Sequence, residues 1–127
     1  MSMFAQTTGS LHTNSATPTA IPGLTFVLPE GNGPVAIIIL NIPNPYAQGN
    51  NYPGGNFWIA VNGTVQAPYA SFTYGVQVPP STNRMPTTLV VGVPLTVKPQ
   101  TIQAMWGGIR GSTVHLDSPA TLTGILD

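Results

Sequence analysis

The sequence contains no cysteine, which excludes disulfide staples and cysteine-ligated metals or clusters but leaves the redox compartment open. Charge is almost as scarce. Only 5% of the 127 residues are Asp, Glu, Lys or Arg, against roughly 25% in an ordinary soluble protein. The cations are Arg84, Lys98 and Arg110, too few for a basic stripe that could neutralise several phosphates, so nucleic acid is not an expected partner. Long apolar runs are missing as well. The longest stretch, Val35 to Leu40, falls far short of the roughly 20 residues a membrane-spanning helix needs, and no membrane insertion is expected. The first twenty residues, MSMFAQTTGSLHTNSATPTA, carry neither a positive n-region nor an apolar h-region. They do not read as a secretory signal, and their composition suggests a flexible polar arm over 1–20 ahead of a single domain over 21–127. A soluble protein is expected, made in the cytoplasm and exposed at a surface or outside the cell by some other route.

The acids are equally few: Glu30, Asp117 and Asp127. Glycosidases and most general acid–base enzymes need a matched carboxylate pair. Asp127 is the last residue and Glu30 sits in the turn-like Pro29-Glu30-Gly31-Asn32-Gly33, so no such pair is expected and the protein is not expected to be an enzyme. His115 and Asp117 are spaced i, i+2 on a predicted strand and so face the same way, as a His–Asp orienting pair would. A packing or hydrogen-bonding pair on the strand face is the more economical account, since Ser112 is too near in sequence to complete a triad. The pair also falls short of the three protein ligands zinc needs and the six to eight oxygens calcium takes, so neither metal nor cofactor is expected. Asn62-Gly63-Thr64 matches an N-glycosylation acceptor, but a turn explains it. His12 lies in the arm and supports no inference.

What is abundant is punctuation. Gly and Pro contribute 14 residues each, and they bound runs rich in Val, Ile, Thr, Phe and Tyr. Those runs are Leu24–Leu28, Val35–Asn41, Asn56–Val61, Thr64–Gln66, Ala70–Val78, Thr87–Val93, Thr101–Trp106, Thr113–Asp117 and Thr121–Leu126. They are strand-length and turn-bounded, and no stretch has a helical period. Val61-Asn62-Gly63-Thr64 predicts a two-residue hairpin, because Asn-Gly accepts the positive φ angles of a type I′ turn. Val35–Leu40 does not alternate, which predicts a strand covered on both faces, as in a sandwich or at an oligomer interface. An all-β domain of two packed antiparallel sheets, a sandwich or jelly roll, accommodates eight or nine such strands. With net charge near zero the surface is wetted by neutral polar groups, and a closed symmetric oligomer would bury the apolar excess.

Polar and aromatic residues cluster in four loop-like blocks: Pro45–Asn51, Phe72–Tyr74, Ser81–Pro86 and Ile109–Ser112. Two of the three cations lie there. An arginine fork suits adjacent sugar hydroxyls, and tyrosine offers an apolar face together with a hydroxyl. This is equipment for a neutral sugar. Surface arginines that merely hold loop carbonyls account for the same residues equally well.

The blocks LNIPNPYAQGNNYP (Leu40–Pro53), Phe72–Tyr74, Ser81–Pro86 and RGSTVHLDS (Arg110–Ser118) occur in an order that resembles a known family. It is the TNF-like, fucose-specific lectin domain that forms the N-terminal half of a bacterial two-domain superlectin. The resemblance runs from about Ile21 to the C-terminus and implies a TNF-like jelly roll, a homotrimer, and metal-free sites for fucosylated glycans between subunits. Tyr46, Ser81, Thr82 and Arg84 would form one wall of each site, and Thr73, Tyr74 and Arg110 of the neighbouring subunit the other. Two positions depart from the family: an aromatic site residue is Asn56 here, and the acidic residue before the Ser-Thr pair is Pro80. Both positions would bear on contacts with an extended glycan. The second, calcium-dependent domain of the superlectin is not expected. A structural jelly-roll subunit of a capsid or appendage, without sugar binding, is the competing expectation, because fold does not assign function.

Overall fold

The computed structural model describes residues 2–126, which contain eleven strands and no helix. In chain order these are β1 (Ser2–Gln6), β2 (Leu11–Thr13), β3 (Thr19–Leu28), β4 (Val35–Ile42), β5 (Tyr46–Gln48) and β6 (Gly54–Val61). There follow β7 (Thr64–Thr73), β8 (Thr87–Pro94), β9 (Gln100–Ile109), β10 (Thr113–Leu116) and β11 (Thr121–Ile125). All pairings are antiparallel. Hydrogen bonding divides them into two four-stranded sheets, β1-β11-β4-β8 and β3-β9-β6-β7, and a small third one, β2-β10-β5. The architecture is that of a β-sandwich with an extra three-stranded ladder.

Alternation decides which face of each strand is buried. In β8, Leu89, Val91 and Val93 turn inward while the residues between them face out. Leu24, Leu28, Ile38, Leu40, Phe57, Ile59, Ile102, Trp106 and Leu122 meet in one core, each at most 1% exposed. The predicted hairpin is present: Val61 pairs with Thr64, and Asn62 and Gly63 have φ of 50° and 82°.

Two expectations need correction and a third is narrowed. The flexible arm is partly strand, since Ser2–Gln6 lies along β11 and Leu11–Thr13 along β10. Their partners lie over 100 residues away, so nothing local in the arm announces the pairing. The runs Thr64–Gln66 and Ala70–Val78 are not separate: β7 continues through Pro68 and stops at Thr73. A register shift opposite, between Trp58 and Ala60, and the position of β7 at the sheet edge accommodate a residue without an N–H. Finally, β4 is covered on one face only within the chain. Val35 is 48% and Ile37 39% exposed, so the uniformly apolar run hides a strict inside–outside alternation.

Candidate functional site

The small sheet builds the first polar cluster. β10 lies between β2 and β5, and its register sets His115 opposite both His12 and Tyr46. The rings follow that register: His115 stacks on Tyr46 with centroids 4.6 Å apart and planes 7° from parallel, and His12 lies 5.9 Å from His115. The Arg84 guanidinium carbon sits 4.3 Å from the Tyr46 ring centre, a cation–π contact. Asp117 grips Arg84 end-on, with Nη1 donating to Oδ1 at 2.9 Å and Nη2 to Oδ2 at 2.7 Å. Nη1 also approaches the Asn44 carbonyl at 3.4 Å. The Nε–H edge has no partner among the described residues. Arg84 is thus held rigid while one side of its fork stays available.

Two backbone anchors hold the loop that carries Arg84. Met85 N–H donates to the Pro45 carbonyl at 2.9 Å, and the Tyr74 hydroxyl donates to the Asn83 carbonyl at 2.6 Å. Tyr74 also accepts the Ala47 N–H at 3.3 Å, and burial raises its pKa, so its hydroxyl remains a protonated structural donor. Ser81 and Thr82, with Gln48, Gly49, Pro79 and Pro80, line an open cavity of about 350 Å³.

The second cluster grows from a tight turn. Ile109-Arg110-Gly111-Ser112 joins β9 to β10, closed by Ser112 N–H donating to the Ile109 carbonyl at 3.0 Å. Arg110 and Gly111 have φ of 51° and 77°, the left-handed pair of a type I′ turn. Such a φ is uncommon for arginine, and the side chain is fixed at its far end: Nε donates to the Asn51 and Tyr52 carbonyls at 3.0 and 3.1 Å. Nη2 donates to the Tyr52 carbonyl and to Thr73 Oγ1. Thr73 passes its own proton to the Tyr52 carbonyl at 3.1 Å. Nη1 is left without a partner among the described residues.

Within one chain the residues named from the sequence therefore form separate groups. Tyr46, Tyr74 and Arg84 meet; Ser81, Thr82 and Pro80 share the cavity; Thr73 and Arg110 meet. Tyr74 and Thr73 are neighbours in sequence but their side chains part, Tyr74 toward Asn83 and Thr73 toward Arg110. Asn56 lies mid-strand in β6, opposite Ser71 and Gly107, and joins none of these groups. The residues that composition undervalued are Asp117, the clamp on Arg84, His115, stacked on Tyr46, and His12 beside it. The i, i+2 spacing of His115 and Asp117 signalled that they share a face. What they face, Tyr46 and Arg84, is distant in sequence.

His115 Nε2 is buried without a hydrogen-bond partner among the described residues. Burial, then the nearby His12 and Arg84, hold its pKa below the ordinary 6.5, with Asp117 opposing them. Because the folded state resists a proton that the unfolded chain takes up near pH 6.5, stability is full above that pH and falls as pH drops toward and through the lowered folded value. Thermal unfolding should show Tm decreasing between pH 7 and 5, and His115→Gln should flatten that slope. An unchanged slope in the variant would assign the loss to other groups.

No curated protein matches the sequence. Over residues 8–125 it matches the family described as Bc2l-C, N-terminal domain. The match takes in β2 through β11, and hence every polar cluster described above. The chain belongs to the Bc2l-C N-terminal domain family, a lectin-type domain.

Proposed function

We propose that the protein is a lectin that binds L-fucose and fucosylated oligosaccharides at sites shared between subunits of a TNF-like jelly-roll trimer, without a metal ion. The observation that carries this is Arg84, clamped end-on by Asp117 and packed on Tyr46, with its Nε–H edge unused. A rigid donor edge beside an aromatic face suits vicinal hydroxyls and the C–H face of a neutral sugar. Arg110, pinned through Nε and Nη2 with Nη1 unpartnered among the described residues, is a second fixed donor that shares no contact with the first, which supports a site closed by a neighbouring subunit. The family membership supports carbohydrate binding.

Assembly follows from the sheet β1-β11-β4-β8. Its outward face presents Phe4, Val35, Ile37, Val90 and Ile125, and none of its four strands contains a charged residue. A contiguous apolar face of this kind marks an interface. Each trimer would then display three sites, and clustered glycans would be held with avidity gains of roughly 10²–10⁴, which suits adhesion. The same face would serve a structural subunit, which differs in building open assemblies and in ignoring sugars.

A glycan array run with and without chelator tests sugar class and metal independence together. Fucosylated glycans should bind equally in both conditions. Binding abolished by chelator, or no preference for fucose, would overturn the proposal.

A further inference from the structure

The outward face of β3-β9-β6-β7 carries a feature none of the groups above uses. Register places Trp58 opposite Tyr69 on one side and Met105 on the other, and all three point away from the core. Gly107 lies diagonally across from Trp58, and a Cβ there would meet the Ser15 and Thr17 carbonyl oxygens at 3.2 and 3.3 Å and the indole Cη2 at 3.4 Å. The edge of the indole therefore lies against the sheet at Gly107, where the Ser15 and Thr17 carbonyls also pack. Beside it Tyr69 is 59% exposed. Next along the strands come Asn56 and Ser71, paired across β6 and β7. The side chains of Trp58, Tyr69, Asn56 and Ser71 have no hydrogen-bond partner among the described residues, and none is charged.

This face continues into the Arg110 cluster. Thr73, Ser71 and Tyr69 alternate on one side of β7, so Tyr69 stands about 13 Å from Thr73 along the strand. We infer that Trp58 and Tyr69 form a stacking platform for a pyranose ring of an extended, uncharged oligosaccharide whose terminal sugar occupies the Arg110–Thr73 side of the site. The inference rests on the proposed sugar site. An aromatic face takes the C–H groups of a sugar ring, the unpartnered indole N–H and the Asn56 amide take its hydroxyls, and the missing charge matches a neutral ligand. A protein partner or second copy on this face would instead bring apolar side chains.

The test uses the intact protein, titrated by calorimetry with free fucose and with neutral fucosylated oligosaccharides of increasing length. NMR follows the indole N–H signals of Trp58 and the buried Trp106. Lengthening the glycan should tighten binding and shift the Trp58 signal. Trp58→Ala and Tyr69→Ala should each remove about three- to tenfold of that gain while leaving affinity for free fucose unchanged. Fucose binding with no gain from length, or a gain that survives both substitutions with the Trp58 signal unmoved, would overturn the platform and leave the fucose site standing. Failure of the parent protein to bind fucose at all would overturn the site, and the platform with it. A change of assembly state in Tyr69→Ala, seen by light scattering, would assign this face to protein contact instead.

Discussion

Arg84→Ala and Arg110→Ala should each weaken binding of free fucose by roughly ten- to a hundredfold, because a hydrogen bond to a charged donor contributes about 1.5–3 kcal/mol. The two arginines fail for different local reasons. Removing Arg84 takes away the donor edge and uncovers one contact of the Tyr46 ring. Removing Arg110 frees the Tyr52 carbonyl and Thr73 Oγ1, so the wall they form loses its pin. Lysine should not restore Arg84, since one ammonium cannot hold both Asp117 oxygens and still offer a free planar edge. Asp117→Asn should reproduce part of the loss through Arg84 alone. The ion pair is partly exposed, so its removal should change stability little and the effect should appear in affinity. Calorimetry with free fucose measures the loss, and thermal unfolding shows that the fold survives. Two alanine variants that remain folded and bind like the parent would remove both arginines from the site.

Ile37→Asp should have a larger effect still, converting the assembly to single chains and abolishing sugar binding together. Ile37 lies at the centre of the uncovered face, opposite Ile125 on β11 and Gly92 on β8. A carboxylate there would lose its water in the assembled state with no cation on the sheet to pair with it. In the separated chain the side chain is 39% exposed, so the fold itself should tolerate the change. Because the proposed interface is apolar, raising ionic strength should not rescue assembly. Light scattering gives the mass and calorimetry the sugar binding. A variant that stays assembled would move the interface elsewhere, and a single chain that still binds fucose would refute a shared site.

The parts of the fold legible in the sequence were those with local causes. Asn62-Gly63 announces its hairpin because the turn geometry is written in two adjacent residues. Arg110-Gly111 makes the same turn without the usual residue at its first position, and so passes as a loop. β1, β2 and β5 were missed for another reason. They are short, and their pairing energy comes from strands at the far end of the chain. The site follows the same division. That Arg84 and Arg110 would be held by loop carbonyls could be anticipated from their loop positions, whereas the clamp of Asp117 on Arg84 spans 33 residues and exists only once β10 is in place. Of the two settings expected for Val35–Leu40, inside a sandwich or at an oligomer interface, the first is not met within one chain, where only one face is covered. A buried face and an uncovered apolar face look identical in sequence, since both are written in Val and Ile.

The pairing of β1 with β11 sets Ser2 directly across from Ile125. Antiparallel neighbours lie about 5 Å apart, so a linker of about two to four residues could join β11 to β1 as a new hairpin without disturbing either strand. The exposed Asn62-Gly63 turn offers a place to reopen the chain, on the loop between β6 and β7. The result would be a circularly permuted protein with the same sheets and different ends. Fused partners would then leave from the β6–β7 turn rather than from the sheet whose outward face is apolar, which keeps a tether clear of that face.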